Sequence, residues 1–336
     1  MTHRSTLVIA EAGVNHNGDI ETALSLVDAA SSCGADIVKF QTFTADHLVT
    51  RGASKAEYQK ATTSNAETQF EMLRALELSH HDHLAIVERC QERGIRFLST
   101  GFDIGNVDML VGLGMDQIKV PSGEITNLPY LRHIGGLGLP TILSTGMADL
   151  EEVRNALDVL LAYGSSKNDV TILHCTTDYP AAMGDVNLQA MVTMRDAFGV
   201  EGGYSDHTLG HEVAVAAVAL GAVIIEKHLT LDRESAGPDH AASLEPEEFA
   251  NMVRAVRNIE IALGDGIKRP QSSEFANMAV ARKSLVASEL IQEGETFTSM
   301  NISAKRPGSG LSPMLWDEVL GQKATRKYAP NEMIEL

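Results

Sequence analysis

The stretch "VIIEKHLTLD" at residues 223–232 runs from apolar residues straight into three ionisable ones, Glu226, Lys227 and His228. A strand that only has to pack has no use for them. The pattern recurs along the chain, where other short apolar runs also end in polar groups. Glu11 closes the first run, Lys39 and Gln41 the second, Ser99 and Thr100 the third. Lys119 and Ser122 close the fourth, with Glu124 just beyond, and Ser144 and Thr145 close the fifth. His174, Thr176 and Thr177 follow the sixth, with Asp178 and Tyr179 after them, and Ser205, Asp206 and His207 end the seventh. Two ammonium groups, Lys39 and Lys119, with hydroxyls from Thr100, Ser122, Ser144 and Ser205, suit a phosphate or carboxylate. His207 and His228 bring two imidazole nitrogens to neighbouring runs. With positions left for water or a substrate oxygen, they suit a divalent transition metal such as Mn²⁺. Glu11 and Glu124 can move protons or position hydroxyls.

Other polar residues read more plainly. His174, ahead of Cys175, reads as structural, and the "HHDH" at 80–83 as exposed capping at a helix start. Side chains alternate faces along a strand, so Lys227 points away from Glu226 and His228. It reads as an ion-pair residue rather than a Schiff-base lysine.

These groups need a scaffold that brings run ends together. β-Branched runs at 6–12, 36–42, 95–100, 116–120, 140–145, 170–175, 201–206 and 222–228 alternate with amphipathic segments such as "DLEEVRNALDVLLAYG", several of which end at Gly. Alternating strand and helix implies a parallel sheet. Eight units in about 260 residues fit an α/β protein of the (β/α)₈ TIM barrel class, whose chemistry sits at the C-terminal ends of the strands. No Gly-rich dinucleotide loop follows the first strand, which argues against an open doubly wound sheet. The connection over 43–79 is long for a barrel and predicts a lid or rim. Gly264, Gly266 and Pro270 end the last barrel helix. The expected domains are a barrel over 1–265, a linker over 266–282 and a small domain of short strands over 283–336, with a thin core of its own.

Composition narrows the partners. A formal net charge of −18 argues against nucleic acid or an anionic membrane. The 3 cysteines, Cys33, Cys90 and Cys175, match no zinc spacing and read as buried free thiols in a reducing cytosol. The apolar run before Glu11 is too short for a signal peptide, and no segment is long enough to span a membrane. The expectation is a soluble cytoplasmic protein.

The motifs "IAEAGVNHNGD", "VKFQTF", "KVPSGEITNLPYL", "ILSTGM", "HCTTDYPA", "GYSDHTLG", "IEKHLTLD", "GPDHAAS" and "KRPGSGLSPM" together resemble the sialic acid synthase family, from near residue 6 to the C-terminus. The resemblance implies a (β/α)₈ barrel followed by an antifreeze-like (SAF, β-clip) domain. It also implies condensation of phosphoenolpyruvate with an N-acylated hexosamine, giving a nine-carbon 2-keto sugar acid and phosphate. By its motifs, His207 and His228 match ligands of a divalent metal, Mn²⁺ with Mg²⁺ or Co²⁺ as alternatives. Lys39, Thr100, Lys119, Ser122, Ser144 and Ser205 match phosphoenolpyruvate contacts. Gln41, Tyr179 and Asp239 match contacts to the open-chain sugar, and Glu11 and Glu124 match carboxylates around the reacting carbons. Arg306 matches an arginine of the small domain that reaches the partner's site in a homodimer with swapped C-terminal domains. Thr177 stands where some members carry Asn, so its phosphate contact departs from the pattern. The expected product is N-acetylneuraminate, made from N-acetylmannosamine. The alternative is N,N'-diacetyllegionaminate from 2,4-diacetamido-2,4,6-trideoxymannose. "TTDYPA" and "GPDHAASLEP" resemble both branches, and the pseudaminate branch less. A class I aldolase using a Schiff-base lysine is the rival from another reaction class. A sugar- or ice-binding role for the small domain is the non-catalytic one.

Overall fold

In a computed structural model of the chain, residues 5–56, 59–60, 63 and 67–336 are described. They form two compact units, Met1–Asp265 and Gly266–Leu336. The first is built on eight parallel strands: β1 (Leu7–Gly13), β2 (Ile37–Thr42), β3 (Arg96–Gly101), β4 (Ile118–Val120), β5 (Thr141–Ser144), β6 (Val170–His174), β7 (Glu201–Asp206) and β8 (Ile224–His228). The hydrogen-bonded order is β3-β2-β1-β8-β7-β6-β5-β4, so β1 pairs with β8 and the ring passes through both chain ends of the barrel. β3 and β4 lie side by side and complete the circle without a ladder among the described residues.

The strands are apolar on both faces because each packs between the barrel interior and the helical layer. One apolar cluster joins Val8, Ala10, Val38 and Ile225 to the helices Ile20–Ser32, Glu212–Ala219 and Pro246–Leu263. Another joins Leu98, Val120, Leu143 and Leu173 to Ile104–Gly112, Leu128–Leu137 and Leu150–Tyr163. Local chemistry sets where each helix starts and stops. Asp149 caps Leu150–Tyr163 in a reciprocal pair with Glu152. Gly94, Gly138 and Gly199 end their helices in the left-handed conformation.

The start of the helix His80–Arg93 corrects one expectation. Ser79 and Asp82 form the cap, and His80 and His81 are exposed, but His83 is fully buried. It shares a face with Ile86 and Cys90, which the helix presses onto the barrel. Its Nε2 lies 2.7 Å from Thr42 Oγ1 and its Nδ1 2.8 Å from the Ser79 carbonyl, so it is a bonded core residue rather than exposed capping.

The described residues of the 43–79 connection include the short helices Ala45–Leu48 and Gln69–Ala75, and its residues 57–58, 61–62 and 64–66 lie outside the described residues. The second unit opens with an exposed helix, Phe275–Ala281, inside the stretch expected as linker. It continues with an antiparallel pair, β9 (Ser284–Ala287) and β10 (Ile302–Lys305), around a small core that includes Phe297, Val319, Tyr328 and Ile334. No helix among the described residues is long and apolar enough to cross a membrane.

Two buried imidazoles tie this fold to pH. His16 is fully buried, and its Nδ1 accepts from the Gly18 backbone N–H at 3.0 Å. Burial, helped by the neighbouring His83, holds its pKa down to about 4. Burial also lowers His83. Both are neutral when folded, whereas in the unfolded chain an imidazole takes a proton near 6.5. Below that pH the unfolded state binds more protons, so stability falls as pH falls from about 6.5 toward 4. For His16 alone the loss is about 2 kcal/mol at pH 5. The melting temperature is expected to drop between pH 7.5 and pH 5, and to drop less in His16→Asn, whose Oδ1 can still accept from Gly18. An equal drop in both proteins would remove His16 as the source.

Candidate active site

Parallel register gathers the polar strand ends into one place. Glu11 pairs with Lys39 on one side and with His228 on the other, Gln41 pairs with Thr100, and Ser205 pairs with Glu226. Paired residues on neighbouring strands face the same way, so these side chains enter the barrel mouth together. A bulge between Glu11 and Gly13 ends β1. Gly13 has φ +53°, and a Cβ there would stand 3.3 Å from both Gln41 Nε2 and Glu11 Oε1. Gly146, after β5, has φ +50° and leaves no room for a side chain: a Cβ would lie 2.7 Å from Ser122 Oγ and 2.8 Å from Thr177 Oγ1. Three strand-end turns therefore meet at that glycine.

The mouth encloses a cavity of about 330 Å³. Its floor is ionic. Glu226 accepts from Lys119 Nζ at 2.8 and 2.9 Å and from Ser205 Oγ at 3.0 Å, and Lys39 Nζ is 3.6 Å away. Lys39 Nζ lies 2.6 Å from Glu11 Oε2 and donates to Thr100 Oγ1 at 3.2 Å. Gln41 Nε2 holds the other Glu11 oxygen at 3.0 Å. Burial opposes every one of these charges, and the partners decide the outcome. Burial works against Glu226, but Lys119 and Lys39 hold it well below the usual carboxylate range. Burial also works against Lys39, but Glu11 and Glu226 keep its pKa above the ordinary lysine value. For Lys119 burial prevails over Glu226, and its pKa falls. Burial raises Glu11, with Lys39 opposing.

The imidazoles stand on the same rim, His207 and His228 with ring centroids 5.5 Å apart. Tyr179 packs against both, at 4.1 and 5.7 Å. His207 Nδ1 is 2.6 Å from the Thr176 carbonyl. A carbonyl only accepts, so Nδ1 carries the hydrogen. Burial holds the ring's pKa down to about 4, which leaves Nε2 a bare lone pair at neutral pH. Burial puts His228 well below its ordinary value as well, and its Nδ1 is buried with no hydrogen-bond partner. Two neutral imidazoles, one oriented by a backbone carbonyl and one with an orphaned nitrogen, fit a borderline metal ion. No group of three or more His, Cys, Asp and Glu with metal geometry occurs among the described residues. Any ion held here would take its remaining ligands from water or substrate. Asp239 Oδ2 lies 3.8 Å from His228 Nδ1, and burial, with the Glu11 charge, pushes this carboxyl up to about 7.

Of the residues singled out from the sequence, Glu11, Lys39, Gln41, Thr100, Lys119 and Ser122 line this cavity. So do Glu124, Ser144, Tyr179, Ser205, His207, His228 and Asp239. Ser144 Oγ is buried with no partner. Thr177 stands beside Gly146 and Ser122, outside the cavity lining. Arg306 belongs to the second unit, where its Nε donates to the Ala281 carbonyl at 3.0 Å. Lys227 does turn outward. It is fully buried behind the barrel, bonded to Asp206 Oδ2 at 2.8 Å and to the Thr208 carbonyl. Two features take on more than the sequence assigned them. Glu226 is the hub of the ionic floor. The 43–79 connection contributes a largely apolar wall, from Phe43, Leu48, Met72 and Leu73. The signal for Glu226 was its place two residues before His228, on the same strand face. The length of the connection pointed to a lid or rim, but a long loop has no periodicity to say which of its residues would face the cavity.

Comparison with known proteins supplies the rest. Residues 26–268 match the model of the NeuB family, and residues 282–335 match that of the SAF domain. The chain is 50% identical over 331 residues to an N,N'-diacetyllegionaminic acid synthase of Campylobacter jejuni, covering 98% of this chain and 99% of the relative. It is 48% identical to the synthase of the same name from Legionella pneumophila, covering 94% and 89%. A crystal structure of N-acetylneuraminic acid (sialic acid) synthetase from Leptospira borgpetersenii in complex with citrate superposes with a TM-score of 0.72 at 34% identity, covering 82% of this chain and 90% of that one. The expected product, N-acetylneuraminate, is corrected by these relatives. The two at 50% and 48% identity are both named for the diacetylated acid. The motifs that carried the resemblance did not separate the branches.

The floor itself can be tested. Glu226→Gln leaves Lys119 buried without its carboxylate, a loss expected to cost about 3–5 kcal/mol in urea unfolding. Lys119→Met together with Glu226→Gln removes both charges and is expected to cost less than Glu226→Gln alone. Additive losses in that cycle would mean the two residues are not coupled.

Proposed function

From the premise that this chain belongs to the NeuB family and carries a SAF domain, we propose that it is an N,N'-diacetyllegionaminate synthase. It is a C–C bond-forming transferase acting on phosphoenolpyruvate and an acylated sugar. The sugar in this reading is 2,4-diacetamido-2,4,6-trideoxymannose, taken as the open-chain aldehyde. The observation that carries it is the near full-length identity of 50% to a synthase of that acid. The cavity supports the chemistry.

Lys39 and Lys119 meet the phosphate and carboxylate of phosphoenolpyruvate, with Thr100, Ser122, Ser144 and Ser205 donating hydroxyls. Glu11 and Glu226 hold those lysines in place before the substrate arrives, so little reorganisation remains when it binds. Gln41, Tyr179 and Asp239 orient the sugar, which places its aldehyde carbon against C3 of phosphoenolpyruvate. That carbon pair bonds, water adds at C2, and the C2–O bond breaks to release phosphate. Glu124, half-buried on the turn after β4, is the carboxylate assigned to moving protons at the added water. His207 and His228 would hold a divalent ion such as Mn²⁺, which would supply Lewis acidity at the carbonyl end of the sugar.

The C-terminal domain belongs to the same reading. Met147, Met183 and Leu209, on the turns after β5, β6 and β7, are all more than half exposed at the barrel mouth. An apolar rim beside an ionic cavity suits a surface that another domain covers. A homodimer with swapped C-terminal domains would do so, with Arg306 of each chain completing the other's site.

Two measurements test the proposal. Phosphate release from phosphoenolpyruvate is expected with 2,4-diacetamido-2,4,6-trideoxymannose, and with His207→Ala/His228→Ala that activity is expected to vanish. Full turnover by the double variant in chelator would sink the metal assignment. No release with that sugar would sink the substrate. For the dimer, mixing and reassembling the Arg306→Ala and Lys119→Ala proteins, each inactive alone, is expected to restore part of the activity. A mixture as inactive as its components would argue that Arg306 serves its own chain.

A further inference from the structure

The cavity has two unlike halves. In the ring of strands β6 and β7 stand opposite β2 and β3. On the β6–β8 side are Tyr179, His207 and His228. On the other side the turns after β1, β2 and β3 and the 43–79 connection present Val14, Phe43, Leu48, Val49, Met72, Leu73 and Phe102, with Gln59 and Gln69 also in the lining. Phe43 and Phe102 pack edge to face, with centroids 6.0 Å apart. Part of this wall is simply an anchor. Val14, Phe43, Met72 and Leu76 are buried together and fix the connection to the barrel. Leu48, Leu73 and Phe102 pack against this anchor from its cavity side, where they stay half-buried and line the cavity with the rest of their surface.

An apolar wall facing a sugar site has a chemical meaning. A hydroxyl pressed against Leu48, Leu73 or Phe102 gives up water with no replacement partner on those side chains, whereas a methyl gains from being covered. The aldehyde end of the sugar belongs at the imidazole side, so its far end turns toward this wall. We infer that Leu48, Leu73 and Phe102 form a specificity wall that seats the C6 methyl and the C4 acetamido methyl of the substrate. The wall thereby selects a 6-deoxy, di-N-acylated sugar over one bearing hydroxyls at those carbons. The inference rests on the substrate reading above and adds to it the residues that enforce the choice.

Apolar pockets reject a hydroxyl by a factor on the order of 10², not more. The enzyme is therefore expected to use 2,4-diacetamido-2,4,6-trideoxymannose with kcat/KM about 10–100-fold above that of its 6-hydroxy counterpart, 2,4-diacetamido-2,4-dideoxymannose. Leu73→Gln and Leu48→Gln each place an amide on the wall. Each is expected to shrink that ratio by about tenfold, chiefly through KM for the 6-deoxy sugar, with KM for phosphoenolpyruvate unchanged. Leu73→Met keeps the wall apolar and is expected to keep the ratio. Equal use of the two sugars by the wild-type enzyme would overturn the wall while leaving the substrate reading intact. So would a ratio that neither Gln variant moves, or Gln variants that raise KM for phosphoenolpyruvate as much as for sugar. No turnover of the 6-deoxy sugar by the wild type would overturn both.

Discussion

Glu226 between two lysines is the interaction on which the rest of the site depends. An anion-binding cavity needs concentrated positive charge, and the barrel interior is where an isolated ammonium is least tolerable. The chain resolves this with carboxylates of its own. Glu226 takes Lys119 directly and Lys39 more loosely, and Glu11 takes Lys39 at 2.6 Å. Two cations and two anions balance within the floor, so it can be buried before any substrate arrives. An anionic substrate then meets ammonium groups already held in position. The chain's net charge of −18 is no obstacle, because charges farther than about a Debye length are screened and contact with the two ammonium groups is not.

The same requirement reaches the back of the barrel. Lys227, one residue from Glu226, is turned outward by the pleat and is itself fully buried. Asp206 and the Thr208 carbonyl satisfy it. That pair holds the end of β7 against the end of β8, the two strands that carry His207 and His228. Thr176, after β6, fixes the His207 ring from a third strand. The imidazole pair is thus held from behind by an ion pair and from the side by a carbonyl. Such support is what keeps a two-nitrogen site in one geometry.

Opposite this rigid polar half stands the apolar half contributed by the 43–79 connection. The division of labour follows from how the elements are made. Strand ends are held by ladders, on both sides for all but β3 and β4, and suit chemistry that needs fixed groups. A connection between β2 and its helix can change without disturbing any ladder, so it suits the part of the substrate that varies. In the reading proposed above the choice of sugar is made there, and motifs at the strand ends did not choose between the acetylated acids.

What the sequence determined by itself is periodic or local. Alternation along "VIIEKH" set Glu226 and His228 on one face and Lys227 on the other, Gly-terminated helices between apolar runs specified a parallel barrel, and the barrel rule placed eight polar ends at one mouth. Those inferences need only the residue and its neighbours. The tertiary structure decided three things that local pattern does not carry. His83 went into the core rather than onto the surface, because the face shared with Ile86 and Cys90 is pressed against β2. Glu226 became the hub of the floor, because residues 107 and 187 positions away in the chain, Lys119 and Lys39, converge on it. The connection after β2 became an apolar cavity wall, because loop residues acquire a face only from what they pack against. Period and capping act over a few residues and can be read in order. Ion pairing and burial act across a closed ring of strands, and only the closed ring brings their partners together.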